Sequence, residues 1–359
     1  MPTRRLITHY RDDLALWPDM WHRVGLVVAA AVALGYPFLV SDEWLTIGNL
    51  ALVAVVGSIA LMVLTGLSGQ ISLGHAAFLA LGAYTTAVLG TRLGLPFFVL
   101  LPLSGLVATA VGLAVGVFAL RLEGLYLAIV TLGLIFLVNH VLLGFPEYTQ
   151  GLTGIAVPVH LWFGGDGPGL ASTSEWLGVT LSFERKLYGL FLLLAAGCAY
   201  LATNLQRSDT GRAMMAVRDR DLAAAALGVN PARAKILSFG ISSFLAGVAG
   251  SMFAMQQQYI TVDPPFNLLL SVQYIAMIVL GGLGSTFGAV AGALAFTMLQ
   301  PLLEQLGGTL PLLSALTRSQ QSTVLFAVLV LLFLAFEPMG LAGIWLRIKR
   351  YFAAWPFRY

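Results

Sequence analysis

Long apolar runs separated by short polar segments recur along most of the chain. A helix needs about 20 apolar residues to cross a bilayer, because in hydrocarbon it must satisfy its own backbone hydrogen bonds. By this criterion the pattern predicts ten transmembrane helices, over approximately 24–40, 45–65, 76–91, 97–120, 124–143, 187–204, 236–255, 268–284, 287–303 and 322–340. The predicted fold is therefore an all-α, polytopic bundle of membrane helices.

The polar segments give this bundle its organisation. We expect a cytoplasmic segment at 1–23, a transmembrane domain at 24–340 and a basic cytoplasmic tail at 341–359. Within the domain, a loop at 144–186 is rich in Pro, Gly and acidic residues, and a loop at 205–235 carries many of the charges. The loop at 144–186 is either a simple connector or a docking surface for a protein that delivers substrate from outside.

Composition supports the lipid environment and excludes several classes of protein. Hydrophobic residues make up 58% of the 359 residues and charged residues only 10%, whereas a soluble domain carries charge on about a quarter of its residues. The single cysteine, Cys198, rules out an intramolecular disulfide and any metal or redox motif built on cysteine pairs. We interpret it as a packing residue.

The positive charges predict the orientation. If the amino terminus is cytoplasmic, the outer side holds only four of the nineteen Lys and Arg residues, so the other fifteen lie inside. The outer four are Arg92, Arg185, Lys186 and Arg318. This asymmetry fits the positive-inside rule, and an even number of helices returns the carboxyl terminus to the cytoplasm. The net charge of +3 thus reflects membrane topology, and we expect no nucleic-acid partner.

A polar, glycine-rich segment at 66–75 interrupts the second and third apolar runs. Its polar side chains are Ser68, Gln70, Ser72 and His75. Non-helical backbone at membrane depth is tolerated only where it is buried in protein or lines a wet cavity. The segment therefore either lines a translocation path or is a short cytoplasmic turn in which His75 is a satisfied interfacial residue.

Two sets of glycines predict close helix packing. Gly284, Gly288 and Gly292 are spaced four residues apart and would share one helical face, and Gly112 and Gly116 repeat the spacing. Small residues at this interval let another helix approach the backbone closely. We interpret both sets as packing positions, with contact to a second subunit as a further possibility.

The loop at 205–235 contains the signals of a helix, a stop and a second helix. Ser208, Asp209 or Thr210 can cap a short helix, Gly228 can end it in the left-handed conformation, and Asn230 with Pro231 can begin the next one. Charged residues occupy part of the short helix, and Met214, Met215, Val217, Leu222 and Leu227 supply apolar surface. The helix would either dock on a partner protein or lie on the anionic inner leaflet.

The chain shows no chemistry of its own. The predicted spans hold almost no ionisable residues, although ion-coupled carriers usually need them. No phosphate-binding loop of the type G-x-x-x-x-G-K-[ST] is present, and the few His and acidic residues lack metal or triad spacing. We expect no catalytic residue, no metal and no cofactor bound by this chain, so ATP would be used by partner subunits.

Several motifs, taken together and in order, resemble the branched-chain amino acid ABC transporter permeases, specifically the longer of their two permease subunits. They are GLSGQISLGHAAFLALGAY from 66, EGLYLAIVTLGL from 123, TQGLTGI from 149, the loop at 208–235 and VLGGLGSTFGAVAGA from 279. The resemblance extends over about residues 45–340 and is specific as a set.

The resemblance implies a bacterial inner-membrane complex with alternating access. Its other members would be a second, different permease subunit, two cytoplasmic ATP-binding subunits and a periplasmic or lipid-anchored solute-binding protein. It also implies that the short helix couples to the ATPase, which carries over to Gly211, Arg212, Ala223, Ala224 and Gly228. Many such permeases have glutamate before the paired alanines, where this chain has Leu222, so Asp221 is the candidate acidic contact.

Other cargoes and other classes remain open. A urea or amide permease of the same superfamily would share these motifs, and nothing in the sequence identifies Leu, Ile or Val as cargo. A stand-alone channel or secondary carrier would transport solute without ATP or partner proteins, and the charge pattern gives it little support.

Overall fold

The computed structural model describes residues 20–122, 124–158, 174–176, 179–306, 317–337 and 339–354. Within these ranges the chain forms thirteen α-helices. They are α1 Met20–Leu39, α2 Asp42–Leu61, α3 His75–Leu93, α4 Phe97–Phe118, α5 Leu125–Gly144, α6 Pro146–Thr149, α7 Phe183–Arg207, α8 Asp209–Ala226, α9 Pro231–Gln257, α10 Leu268–Gly281, α11 Thr286–Leu306, α12 Arg318–Phe336 and α13 Gly340–Ala354. A π-helix at Met62–Leu67 follows α2, and a 3-10 helix lies at Gly151–Thr153.

The all-α membrane bundle predicted from the sequence is confirmed. Among the described residues, seven helices are long and apolar enough to cross a bilayer: α3, α4, α5, α7, α9, α11 and the combined stretch Asp42–Leu67. Shorter apolar helices occur at Val27–Leu39, Leu268–Gly281 and Gln320–Phe333. Together, these seven long and three shorter apolar helices correspond to the ten predicted spans.

Side-chain and glycine caps define the ends of helix α8 and the start of helix α9. Ser208 Oγ accepts from the backbone N–H of Gly211 at 3.1 Å, and Asn230 Oδ1 accepts from that of Arg233 at 3.1 Å. Such caps satisfy first-turn N–H groups that have no partner inside the helix. Gly228, with φ +88°, follows the last turn of α8 in a left-handed conformation, as the sequence predicts.

Helices α2, α3 and α9 form the centre of the bundle, with α4, α7, α10 and α11 packed around them. Small residues bring α9 close to its neighbours. A Cβ at Gly250 would lie 2.0 Å from the carbonyl oxygen of Leu79, and one at Gly82 would lie 2.1 Å from that of Gly247. Close backbone approach is how helices associate when lipid is as apolar as their side chains.

The glycines at 112, 116, 288 and 292 lie where the backbone closely approaches a neighbouring segment. A Cβ at Gly112 would lie 2.0 Å from Ser243 Oγ, and one at Gly292 would lie 2.0 Å from the Met277 carbonyl oxygen. A Cβ at Gly116 would meet that of Phe239, and one at Gly288 would meet the carbonyls of Gly281 and Gly282.

Gly284 is not on the face of a helix, contrary to the sequence prediction. Helix α11 begins only at Thr286, and Gly284 lies in the preceding turn with φ +82°. The four-residue spacing failed here because the backbone reverses direction at 282–285, where two glycines adopt left-handed conformations.

The predicted loop at 144–186 is described only in part. Strand β1, Ile155–Ala156, pairs antiparallel with β4, Tyr259–Ile260, beyond the end of α9. Strands β2, Ser174–Trp176, and β3, Val179–Leu181, form a second antiparallel pair. The glycine-rich stretch at 164–169, and the terminal segments 1–19 and 355–359, lie outside the described residues.

Candidate functional site

The polar break after α2 is formed by a change in helix type. The last turns, Met62–Leu67, are π-helical, and residues 69–74 are not helical. Gly69 has φ +71°, and the side chain of Thr65 donates to the carbonyl oxygen of Gln70 at 3.1 Å. Single π turns inside α-helices often mark functional sites. The sequence predicts the break at 66–75 but not the π-helix before it.

The polar side chains of this break are buried within the chain. Ser68, Gln70, Ser72 and His75 are between 1% and 6% exposed. Gln70 Nε2 donates to Ser238 Oγ at 2.6 Å and to Ser68 Oγ at 2.9 Å, and these bonds tie the break to the first turns of α9. The four residues thus lie in one buried segment, and whether they line a path stays a prediction.

His75 begins α3 and packs against α10. Its ring meets that of Tyr274 edge-on, with centroids 4.8 Å apart, and its Nε2 has no hydrogen-bond partner among the described residues. The next backbone N–H, of Ala76, donates to Ser271 Oγ of α10 at 2.9 Å. Helix α10 therefore supplies both a ring contact and a cap to the start of α3.

Helix α8 turns one face toward the bundle. Gly211, Met214 and Val217 are buried there, and a Cβ at Gly211 would lie 1.9 Å from the carbonyl oxygen of Leu205. The expectation that Met214 and Val217 offer surface to a partner is therefore wrong, because both pack inside the chain. Arg212 is exposed and pairs locally with Asp209.

The second half of α8 is exposed and set apart by a kink. Arg220 has φ −160° and ψ 104°, which interrupts the helix. Beyond it, Leu222 and Leu227 are 84% and 86% exposed. Ala223 is exposed and Ala224 is buried. No local sequence pattern predicts this kink.

Asp221 lies at the kink rather than free on the surface. Its carboxylate accepts the backbone N–H of Leu222 at 2.8 Å and lies 3.7 Å from Nζ of Lys235 on α9. The carboxylate thereby gives a hydrogen-bond partner to a backbone N–H next to the interruption at Arg220.

Arg218 connects α8 to the polar break. Its Nη1 donates to the carbonyl oxygen of Gly66 at 2.7 Å, and its aliphatic stem lies against Gly69, where a Cβ would be 2.7 Å from Cγ of the arginine. A Cβ at Gly284 would lie 3.2 Å from the same Nη1. One guanidinium thus touches the end of the π-helix and the 282–285 turn.

This role of Arg218 is not predicted by the sequence pattern. Gln206, near the end of α7, adds a weaker link by donating to the carbonyl oxygen of Gly284 at 3.4 Å. The signal that could have indicated it is the glycines of the 66–75 segment and of the 282–285 turn, since glycine permits close approach of a long side chain to the backbone.

A second polar cluster joins three helices near the ends of α7 and α9. Glu184 Oε2 accepts from Asn49 Nδ2 at 2.8 Å and from Gln256 Nε2 at 3.0 Å. Asn139 also bridges segments, donating to the carbonyl oxygen of Phe266 at 3.1 Å. The bonds to Glu184 join α2 and α9 to α7, and the Asn139 bond joins α5 to the segment before α10. Among the described residues, no group of three or more His, Cys, Asp or Glu could hold a metal ion.

Comparison with known proteins agrees with this architecture. The family model described as branched-chain amino acid transport system / permease component matches residues 44–335. The high-affinity branched-chain amino acid transport system permease protein LivM of Escherichia coli (strain K12) is 33% identical over 326 residues, which cover 88% of this chain and 74% of the relative.

More distant relatives are also permeases. The permease protein LivH of Salmonella typhimurium, from a high-affinity branched-chain amino acid transport system, is 26% identical over 291 residues, 77% of this chain and 87% of the relative. The autoinducer 2 import system permease protein LsrC of Enterobacter sp. (strain 638) is 32% identical over 212 residues, 56% of each chain. No solved structure matches significantly. The family match over residues 44–335 shows that this chain belongs to the permease components of branched-chain amino acid transport systems.

Proposed function

We propose that this permease is the membrane subunit of an ATP-driven ABC importer for branched-chain amino acids, in which helix α8 couples the path to separate ATP-binding subunits. The observation that carries the proposal is the hydrogen bond from Arg218 to Gly66, because it joins an exposed helix directly to the polar break. A movement of α8 would reach the π-helix without an intervening flexible segment.

The exposed half of α8 has the character of a docking surface. Leu222 and Leu227 are largely exposed on a short helix that also carries acidic residues. Asp219 and Asp221 alternate with Arg218 and Arg220, and acidic groups reduce the attraction of such a helix to an anionic leaflet. Docking on an ATP-binding subunit therefore explains the surface better than lipid contact does.

The proposed mechanism is alternating access. ATP binding would draw two ATP-binding subunits together and displace α8, and Arg218 would transmit this to Gly66 and to the 282–285 turn. Packed helices respond to such a push by switching between discrete arrangements. This chain would supply the translocation path and the moving helix α8, and ATP hydrolysis would occur on the partner subunits.

The same proposal places the complex in the bacterial inner membrane with both termini in the cytoplasm, as the positive charges favour. The matches to both LivM and LivH support a second permease subunit of related sequence. A periplasmic or lipid-anchored solute-binding protein would deliver cargo to the side opposite α8.

The experiment is affinity purification of the tagged chain in mild detergent from its native host, followed by identification of its partners and ATP-dependent uptake of leucine in liposomes. The variant replaces Leu222 and Leu227 by Glu. The matched control is Leu152→Glu, since Leu152 is 81% exposed and lies beyond α5, at the other end of α7 from α8.

We expect the wild type and the control to recover the ATP-binding subunits and a second permease. The α8 variant should keep the second permease and lose the ATP-binding subunits. Recovery of a lone chain that passes leucine without ATP would contradict the proposal and support a self-sufficient channel or carrier.

A further inference from the structure

A cavity of about 330 Å³ lies among α2, α3, α9, α10 and α11. Its walls are largely apolar and include Val53, Leu79, Phe253, Met277 and Phe296. Ligand pockets commonly combine such walls with a few polar groups, at volumes from about 300 Å³ upward. The cavity reaches the site already described through Tyr274, which lines it and also contacts His75.

Polar groups collect on one side of this cavity. Thr297, Gln300 and Glu304 are three and four residues apart, so they share one face of α11. Gln273 lines the cavity from α10. Gln273 is partly buried, whereas Gln300 and Glu304 are exposed at the open side of the cavity, and the three side chains make no hydrogen bond to another described residue.

These groups define the chemistry of a matching ligand. The volume of about 330 Å³ lies at the lower end of the range for ligand pockets and suits a small solute. Among the described residues that line the cavity, Glu304 is the one charged residue, so an ammonium group is favoured and an anion is not. The amide N–H groups can donate to a carboxylate. Apolar walls favour an aliphatic chain over urea, which would leave its own polar atoms unpaired there.

A second cavity, of about 480 Å³, provides the contrast. It lies among α4, α7 and α9, and its lining includes Leu113, Leu201, Phe244 and Ala202. Of the described residues in its lining, Thr109 alone bears a hydroxyl group and none is charged. It lacks the groups that would hold a zwitterion.

We propose that the first cavity is a cargo site for a free aliphatic amino acid, held with its side chain against Met277 and Phe296, its ammonium group at Glu304 and its carboxylate at the amides of Gln273 and Gln300. The inference rests on the proposed importer function and adds to it a site within this subunit. Selectivity would then be divided between the solute-binding protein and this cavity.

The direct test is protection of an introduced thiol in the assembled transporter. Thr297→Cys is placed in a Cys198→Ser background, and its rate of labelling by N-ethylmaleimide is measured with L-leucine, with urea and with neither. Thr109→Cys is the matched control, because both threonines are partly buried and each lines one cavity. We expect leucine, and not urea, to slow labelling severalfold at position 297 only. Equal rates with and without leucine, or equal protection by urea, would overturn the inference.

Transport provides a second measurement that does not depend on labelling. Ala54→Phe fills the first cavity, and Ala202→Phe makes the same change in the second; both alanines are buried. We expect Ala54→Phe to abolish leucine uptake while the complex still assembles and hydrolyses ATP, and Ala202→Phe to retain uptake. Glu304→Gln should raise the KM for leucine about tenfold, as expected for losing a charge-assisted hydrogen bond.

The outcomes separate the two proposals. If the wild-type complex shows no ATP-dependent leucine uptake, the importer function fails and the cargo site fails with it. If uptake is normal in the wild type and unchanged in both Ala54→Phe and Glu304→Gln, the importer function stands and the cargo site is wrong.

Discussion

Nη1 of Arg218 donates a 2.7 Å hydrogen bond to the carbonyl oxygen of Gly66, across 152 positions of sequence. The carbonyl belongs to the π-helix that ends α2, and the arginine belongs to a helix outside the bundle core. A charged donor to a backbone carbonyl is stronger than a neutral one. This bond gives the polar break a direct connection to the surface proposed for coupling.

Replacing Arg218 by Ala should uncouple transport from ATP hydrolysis. We expect basal ATPase activity of the assembled complex to persist and leucine uptake to fall by about tenfold or more, since a hydrogen bond to a charged group is worth about 1.5–3 kcal/mol. The measurement is the ratio of uptake to hydrolysis in liposomes. Arg233→Ala is the control, because Arg233 is an exposed arginine near the start of the neighbouring helix α9. A ratio that falls equally in both variants would contradict the coupling role.

Gly69→Ala should destabilise the protein through a steric contact as well as backbone strain. Its left-handed φ of +71° costs any L-residue about 1–2 kcal/mol, and the added Cβ would also lie 2.7 Å from Arg218 Cγ. Gly94→Ala is a matched control, with φ +60° and nothing within 4 Å of its Cβ. Thermal unfolding in detergent should show a clearly larger loss for Gly69→Ala. Equal losses of thermal stability in the two variants would mean that the Arg218 side chain moves aside at little cost.

Gly250→Ala should weaken the centre of the bundle. The new methyl group would lie 2.0 Å from the carbonyl oxygen of Leu79, and overpacking of this kind costs about 1–3 kcal/mol. Gly197→Ala, in the interior of α7 with nothing within 4 Å, should be neutral or slightly stabilising because alanine favours helix. Thermal unfolding again makes the comparison. An unchanged midpoint for Gly250→Ala would show that α3 and α9 can separate at little cost.

Glu184→Ala should loosen the contact of α7 with α2 and α9. It removes the acceptor shared by Asn49 and Gln256, and leaving buried donors unpaired costs about 1–3 kcal/mol. Glu184→Gln keeps an oxygen acceptor at this position, so its unfolding midpoint should lie between those of Glu184→Ala and the wild type. Glu43→Ala, at an exposed position, should change stability by less than about 1 kcal/mol. Similar midpoints for Glu184→Ala and Glu43→Ala would show that the cluster contributes nothing.

Much of the secondary structure around the site followed from local sequence. Ser208, Gly228 and Asn230 begin or end helices as predicted, because capping depends on a few neighbouring residues. The small residues Ser243, Gly247 and Ser251, four apart on α9, carried a packing signal that could also have been found from spacing alone.

Other features depended on distant contacts. The kink at Arg220 and the π-helix before Ser68 have no local signature, since the same residue types are compatible with regular helix. The four-residue glycine rule was wrong at Gly284, because the turn at 282–285 packs against Gly66 and Arg218 rather than continuing as helix.

By itself the sequence determined that the chain is a bundle of membrane helices interrupted at 66–75. It also determined that the loop at 205–235 contains a short helix and that the chain has no nucleotide-binding motif. These properties follow from hydropathy, charge and capping, which act over a few neighbouring residues. Only the tertiary structure decided which polar groups meet, such as Arg218 with Gly66 and Glu184 with Asn49. Their partners lie over a hundred positions away, and in a low-dielectric interior the pairing is fixed by how the helices pack.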